Sequence, residues 1–363
     1  VTPRWSDPLS VFTADGPSPR RHARPDHSTT KRALAVVGVL LLLLAAGGVG
    51  LALWFQNQLN SNIERIGDPF AGVSERPAPA PDDPAEPNQP VNILVLGSDS
   101  RISAGDPSQW EAGAQRTDAI MLAHLPADRE SAQVVSIPRD AWVPIPGHGE
   151  NKINAAYSLG GPSLMIQTVE QLTGVRIDHF VVTDFESFTS MTDALGGVRI
   201  RVPQDVGDGD KVFFEAGEHI MSGEDALAYT RQRHGLANGD FGRVQRQQNW
   251  MRAILAKVNN NRNDVPLMTR FFTTVSQSVA ADDGFTIDRM RELYMSARQL
   301  STNDVAFMTA PHSGTGTSAD GQSIVVLDRA RFDPLMEAIA ADEAATYIET
   351  NAEALDLLPA TVK

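Results

Sequence analysis

Leu34 to Phe55 is a run of 22 residues without a charged side chain. At about 1.5 Å of helical rise per residue, such a run reaches across the roughly 30 Å hydrocarbon layer of a bilayer. A single transmembrane helix is therefore expected at 34–55. Trp54 and Phe55 stand where an interfacial anchor belongs, and Lys31 and Arg32 precede the run. Basic residues on that side put the N-terminus in the cytoplasm and the remainder outside the cell. A cleaved signal peptide is the rival reading, because the residues at 45–50 are small. The run outlasts the roughly 7–15 residues of a signal core, which favours the anchor.

The segments on either side differ in kind. Residues 1–33 carry six basic side chains against three acidic ones and no apolar period, as expected of a disordered basic cytoplasmic tail. Seven prolines between 69 and 90 mark 56–90 as an extended, Pro-rich extracellular linker. From 91 to 343 strand-like and helix-like patterns alternate without an internal repeat, as in one α/β domain. Residues 344–363 are expected as a helical or frayed C-terminal tail. A net charge of −14 argues against a nucleic-acid-binding surface. The absence of cysteine removes disulfides, thiolate zinc sites and cysteine nucleophiles. No P-loop, zincin or hydrolase-elbow motif occurs, and His148, His234 and His312 lack ligand spacing. Gly314–Ala319 fits the loose dinucleotide pattern but precedes a strand, so it reads as a loop.

Three predicted strands carry the first candidate site. Val91–Leu96 runs into Gly97 and Asp99; Asp118 stands just ahead of Ala119–Leu125; Arg139 follows Gln133–Ile137. Antiparallel pairing of consecutive strands would bring Asp99, Asp118 and Arg139 to one sheet edge. Taken singly, the aspartates are equally compatible with ordinary turns. Taken together, two carboxylates and an arginine suit a hard cation bridging to phosphate, since magnesium (or manganese) needs only one or two carboxylates beside water and phosphate oxygens. Lys152, just ahead of a predicted helix, fits a surface lysine or a ligand.

The second candidate is Arg231–Gln248, which holds four arginines and one acid in an acidic chain. Ser222 with Asp225 signals a helix start, so Arg231 and Arg233 fall near that helix's end and lead into a glycine loop. Asp240 is expected to cap the next helix, which runs to about Asn259. On it Arg243, Arg246 and Gln247 share a face, while Val244, Met251, Leu255 and Val258 form a packing stripe. A helix N-terminus flanked by arginines suits phosphate, and this many cations suit a diphosphate. Asp184 is expected to cap a further helix ended by Gly196-Gly197, on which Phe185 and Phe188 are candidates for core packing or an apolar pocket.

The motifs Asn92-Ile93-Leu94-Val95-Leu96-Gly97-Ser98-Asp99-Ser100-Arg101, Arg116-Thr117-Asp118, Ser136-Ile137-Pro138-Arg139-Asp140, Asn151-Lys152-Ile153-Asn154 and the stretch closing on Arg246-Gln247-Gln248 together resemble the LytR–CpsA–Psr (LCP) family of bacterial cell-envelope proteins. The resemblance implies an α/β/α sandwich with a mixed central sheet, holding a polyprenyl diphosphate with its lipid tail in an apolar cavity. It implies Mg²⁺ on Asp99 and Asp118, and a diphosphate held by Lys152, Arg139, Arg231, Arg233, Arg243 and Gln247. Arg139, Arg231, Arg233 and Asp240 are the catalytic candidates. The C-terminal stretch is expected to be too short for the further domain that some members carry.

The implied activity is that of a membrane-anchored phosphotransferase moving an anionic glycopolymer from a polyprenyl diphosphate carrier to peptidoglycan, at the muramic acid 6-hydroxyl. Two alternatives stay open: hydrolysis of the same diphosphate, and a non-catalytic sensor of the lipid-linked ligand. The group that takes the acceptor's proton is also open among Asp99, Asp118 and water.

Overall fold

The computed structural model describes residues 56–80, 86, 88–98, 117–208, 211–232, 239–359 and 362. The expected tail at 1–33 and span at 34–55 lie outside these. Among the described residues no helix is long and apolar enough to cross a membrane.

Eight strands form the central sheet: β1 (Glu64–Arg65), β2 (Val91–Ser98), β3 (Thr117–Leu125), β4 (Ala132–Ile137), β5 (His179–Thr183), β6 (Val279–Ala281), β7 (Val305–Thr309) and β8 (Asp356–Leu357). Their spatial order is β1-β6-β5-β2-β3-β4-β7-β8. The sheet is mixed: β2 is antiparallel to β3 and β3 to β4, while β2 runs parallel to β5 and β4 to β7.

Strand alternation splits the sheet into two working faces. Leu94, Leu96, Ile120, Leu122, Phe180 and Val182 point into the main core. There they meet α1 (Asn154–Thr173) and α7 (Arg329–Ala340), with α8 (Ala344–Asn351) alongside. The intervening residues Val95, Ala119, Met121 and Val181 face the other layer. That layer comprises α2 (Phe185–Ala194), α3 (Gly223–Arg231), α4 (Gly239–Asn260), α5 (Val265–Ser278) and α6 (Ile287–Ser296). The result is the expected α/β/α arrangement around a mixed sheet.

Three expectations give way. The linker predicted at 56–90 packs onto the domain through 56–80: a helix covers 56–62, and β1 joins the sheet edge with Glu64 paired to Ala280. Ile63 and Ile66 are buried on either side of it, in two different clusters, and Arg76 reaches Glu170 at 2.7 Å. Proline fixes φ but does not prevent a chain from lying along a surface that offers partners. The tail at 344–363 is helical in part, as expected, with α8 at Ala344–Asn351, but it packs instead of fraying: β8 joins the sheet, its Leu357 paired with Met308. The glycine-rich loop expected at Gly314–Ala319 belongs largely to a strand, His312–Thr317, paired antiparallel with Ser323–Leu327.

Candidate functional site

Strand register assembles the first half of the site. Leu96 pairs with Ile120 and Ser98 with Thr117, across a register shift between Gly97 and Ser98. Ile120 pairs with Ile137. The end of β2, the start of β3 and the end of β4 therefore share one edge, as the sequence predicts, and Arg139 Nη1 donates to Asp118 Oδ1 there. Arg139 Nε also lies 3.7 Å from Asp140 Oδ2, and Lys152 Nζ lies 3.2 Å from Asp140 Oδ1. Lys152 closes a hairpin of Trp142–Ile145 with Gly149–Lys152, in which it pairs with Trp142. It is not a stray surface lysine. Opposite charges alternate from Asp118 to Lys152, so each is held in place by the next.

The helical layer supplies the second half. Ser222 Oγ accepts from Asp225 N at 3.2 Å and starts α3, whose last residue, Arg231, borders the cavity described below. On α4, Arg243 is 3% exposed and brings Nη1 to 4.0 Å from Asp118 Oδ1, the atom that Arg139 holds. Arg246 is 1% exposed. Its Nη2 donates to the Gln232 carbonyl just beyond α3, and its guanidinium lies 5.9 Å from the Tyr229 ring centroid. Burial pushes its pKa down; Tyr229 opposes this, and the neighbouring Arg243 charge adds to it. Gln248 Nε2 donates to Ser136 Oγ and Met308 O, both at 2.8 Å, and so pins α4 against β4 and β7.

Between the sheet and the helical layer runs a cavity of about 580 Å³. Ser98, Asp118, Arg231 and Gln247 border it at the strand edge just described, while Trp250, Met251, Ile254, Leu255 and Val258 follow along α4. From Gln247 to Asn259 this wall extends roughly 18 Å at 1.5 Å per residue. Phe188 lines it and stacks on Trp250 at a centroid separation of 3.9 Å. The stripe predicted as core packing on α4 thus also walls a void, because periodicity marks an apolar face without saying whether side chains or open space meet it. Asp184 Oδ1 caps α2 by accepting from Ser187 N at 2.8 Å; the Phe185 side chain lies outside the description.

Chemically, a long apolar cavity ends where guanidinium groups outnumber carboxylates. Arg139, Arg231 and Arg243 with Lys152 can neutralise an oxyanion that Asp118 and Asp140 alone would repel. The donor chemistry also fits a hard cation. Among the described residues both arginine contacts to Asp118 fall on Oδ1, and Oδ2 is an oxygen donor of the kind magnesium takes beside water and phosphate. Among the described residues no group of three or more His, Asp or Glu side chains gathers as a complete protein cage.

The predicted residues therefore divide. Asp118, Arg139 and Arg243 meet directly, Lys152 joins through Asp140, and Arg231 and Gln247 stand at the cavity's polar end. Asp99 and Arg233 lie outside the described residues. Asp240 falls within the first turn of α4 rather than ahead of it, and its side chain is not described. Sequence reasoning placed Arg246 on the shared face of α4 but left it out of the diphosphate set, and it passed over Asp140 and Gln248 as participants. Their signal was adjacency to Arg139 and Gln247; which neighbour faces the site depends on packing.

A family model described as the LytR_cpsA_psr family matches residues 64–341. The regulatory protein MsrR of Staphylococcus aureus (strain COL) is 36% identical over 186 residues, covering 51% of this chain and 54% of MsrR; the chain spans about half the length of the curated relatives it first matches. The polyisoprenyl-teichoic acid--peptidoglycan teichoic acid transferase TagU of Halalkalibacterium halodurans is 30% identical over 276 residues, covering 75% of this chain and 86% of TagU. Among solved structures, TagT bound to LI-WTA shares 26% identity at a TM-score of 0.57, covering 74% of this chain and 98% of that one.

Proposed function

The chain belongs to the LytR_cpsA_psr family, and from that premise we propose that it is a phosphotransferase, anchored in the membrane by the span at 34–55, that moves a glycopolymer from a polyprenyl diphosphate carrier to peptidoglycan. The observation that carries this reading is the continuity of an apolar cavity, bordered by Arg231, Gln247 and Asp118, with the cluster in which Arg139 and Arg243 approach Asp118. An isoprenoid tail requires the former and a diphosphate the latter. The names of TagU and TagT support the same substrate class.

In this reading Arg139, Arg231 and Arg243, with Lys152 and Gln247, hold the diphosphate oxygens; Arg233 belongs to the same set. A hydroxyl of peptidoglycan, the muramic acid 6-hydroxyl by family resemblance, attacks the glycan-bearing phosphorus. The new P–O bond forms as the bond to the polyprenyl phosphate breaks, and the arginines carry the charge that builds on the leaving phosphate. The acceptor's proton passes to Asp118, to Asp99 or to a water molecule beside them. Asp118 and Asp99 would hold Mg²⁺, which when bound supplies further neutralisation of phosphate charge.

The test uses the full chain in detergent with Mg²⁺, a polyprenyl diphosphate glycan and peptidoglycan. Glycan joined to the wall through a phosphodiester is the expected product. Free phosphorylated glycan would replace transfer by hydrolysis, and saturable binding without product would replace catalysis by sensing.

A further inference from the structure

The cavity has a second end. Ala132 and Val305 begin β4 and β7 at the sheet edge opposite Asp118, and both line it. Arg262, just beyond α4, and Tyr294 and Arg298, on and beyond α6, complete the lining there and are all exposed. The cavity therefore reaches the surface on this side as well. Arg262 Nη1 donates to the Arg298 carbonyl at 3.0 Å, which ties the two segments into one rim.

This rim is unlike an ordinary solvated surface. Tyr294 is 39% exposed, its neighbour Met295 51%, and Val265, three residues past Arg262, 71%. Isolated exposed apolar side chains need no explanation, but these flank two arginines with no acidic partner among the described residues. The arginines on α6 itself are compensated, Arg289 by Glu292 at 2.9 Å and Arg291 by Asp288 at 3.3 Å. A second observation gives the rim a direction. The Gln56 side chain donates to Asp288 on α6, and Asn62 Nδ2 donates to Ser276 Oγ on α5 at 3.4 Å. Gln56 immediately follows the expected span, so α6 is tied to the first described residue after it.

We infer that the rim formed by Arg262, Arg298, Tyr294, Met295 and Val265 docks on the anionic phospholipid surface of the membrane, which seats the rear mouth of the cavity against the bilayer. Guanidinium groups pair with phosphate headgroups, while tyrosine, methionine and valine enter the interfacial layer. An isoprenoid tail then passes between bilayer and cavity without crossing water. The inference rests on the anchor and lipid-carrier reading above.

The chain has no cysteine, so a single thiol introduced by Met295→Cys can carry a fluorophore in the full-length protein. Glu349→Cys, exposed on α8 at the opposite face of the sheet, provides the control. Both proteins are reconstituted in vesicles of phosphatidylcholine with or without phosphatidylglycerol, and a lipid-borne nitroxide is the quencher. Quenching at 295 is expected to exceed that at 349 at least threefold with phosphatidylglycerol present. Arg262→Glu with Arg298→Glu should bring it to the control level while the vesicles still float with protein. Equal quenching at both sites in floating vesicles overturns the docking surface and leaves the anchor standing. Protein that does not float overturns the anchor and the docking surface with it. Unchanged quenching after both charge reversals overturns the role of the arginines.

Discussion

Arg139 stands between two carboxylates, donating to Asp118 and lying 3.7 Å from Asp140, and that position sets what its loss should do. Its partners already balance its charge in the resting protein, so a diphosphate must compete for it, and the gain appears as charge builds on the leaving group. Arg139→Ala is accordingly expected to lower kcat/KM for transfer at least tenfold, about 1.4 kcal/mol of barrier. Arg139→Lys should recover only part of this, because an ammonium cannot offer the paired, planar donors of a guanidinium. Initial rates with a labelled lipid-linked glycan measure both; a rate for the alanine variant within twofold of the parent would remove Arg139 from the machinery. Arg246 plays a different part. Buried and directed at the Gln232 carbonyl, it fixes the residue that ends α3 next to Arg231.

At the scale of elements, α3 has to lie close to α2 for Arg231 to reach the cavity, and Gly223 permits it. A Cβ at that position would sit 2.3 Å from the Thr189 carbonyl oxygen and 2.6 Å from its Cα. Backbone cannot swing aside as a side chain would. Gly223→Ala should therefore displace the start of α3 and cost at least 1–3 kcal/mol, about the penalty of overpacking. A urea midpoint unchanged from the parent would show that the two helices have slack. The close approach was not legible in the sequence, where Gly223 reads only as the residue after a good N-cap. By contrast Ser222 and Asp184 were readable as caps, because capping is decided within one helical turn. The three strand ends were readable in part: the short connection at 126–131 forces β3 and β4 to be antiparallel neighbours, whereas the pairing of β2 with β3 across 99–116 was an assumption that the register bears out. The cavity was not, since apolar residues that wall a void and those that fill a core carry the same pattern. Nor was β1, a two-residue strand too short to show any period.

For the whole molecule, the consequence is that the domain begins earlier than its strongest strand. A chain starting at residue 91, where the sequence suggests the boundary, loses β1, Ile63 and Ile66, and also Arg76. The last loss weighs most. Glu170 is 2% exposed, and its carboxylate accepts from Arg76 Nε and Nη2 and from Ile177 N. Without Arg76 one backbone amide is left to hold a buried negative charge, and removing one partner of such a pair costs about 3–5 kcal/mol. Each isoleucine removed adds roughly 1.5–3 kcal/mol of lost burial. The ordering entropy of 56–90 is no longer lost and offsets part of this, so the shortened domain should unfold at a clearly lower urea midpoint than one beginning at residue 56. Glu170→Gln isolates the cause. In the protein starting at 56 it breaks an ion pair and should destabilise; in the protein starting at 91 it removes an orphaned charge and should restore part of the loss. Identical urea curves for the two lengths would return 56–90 to the role of a spacer.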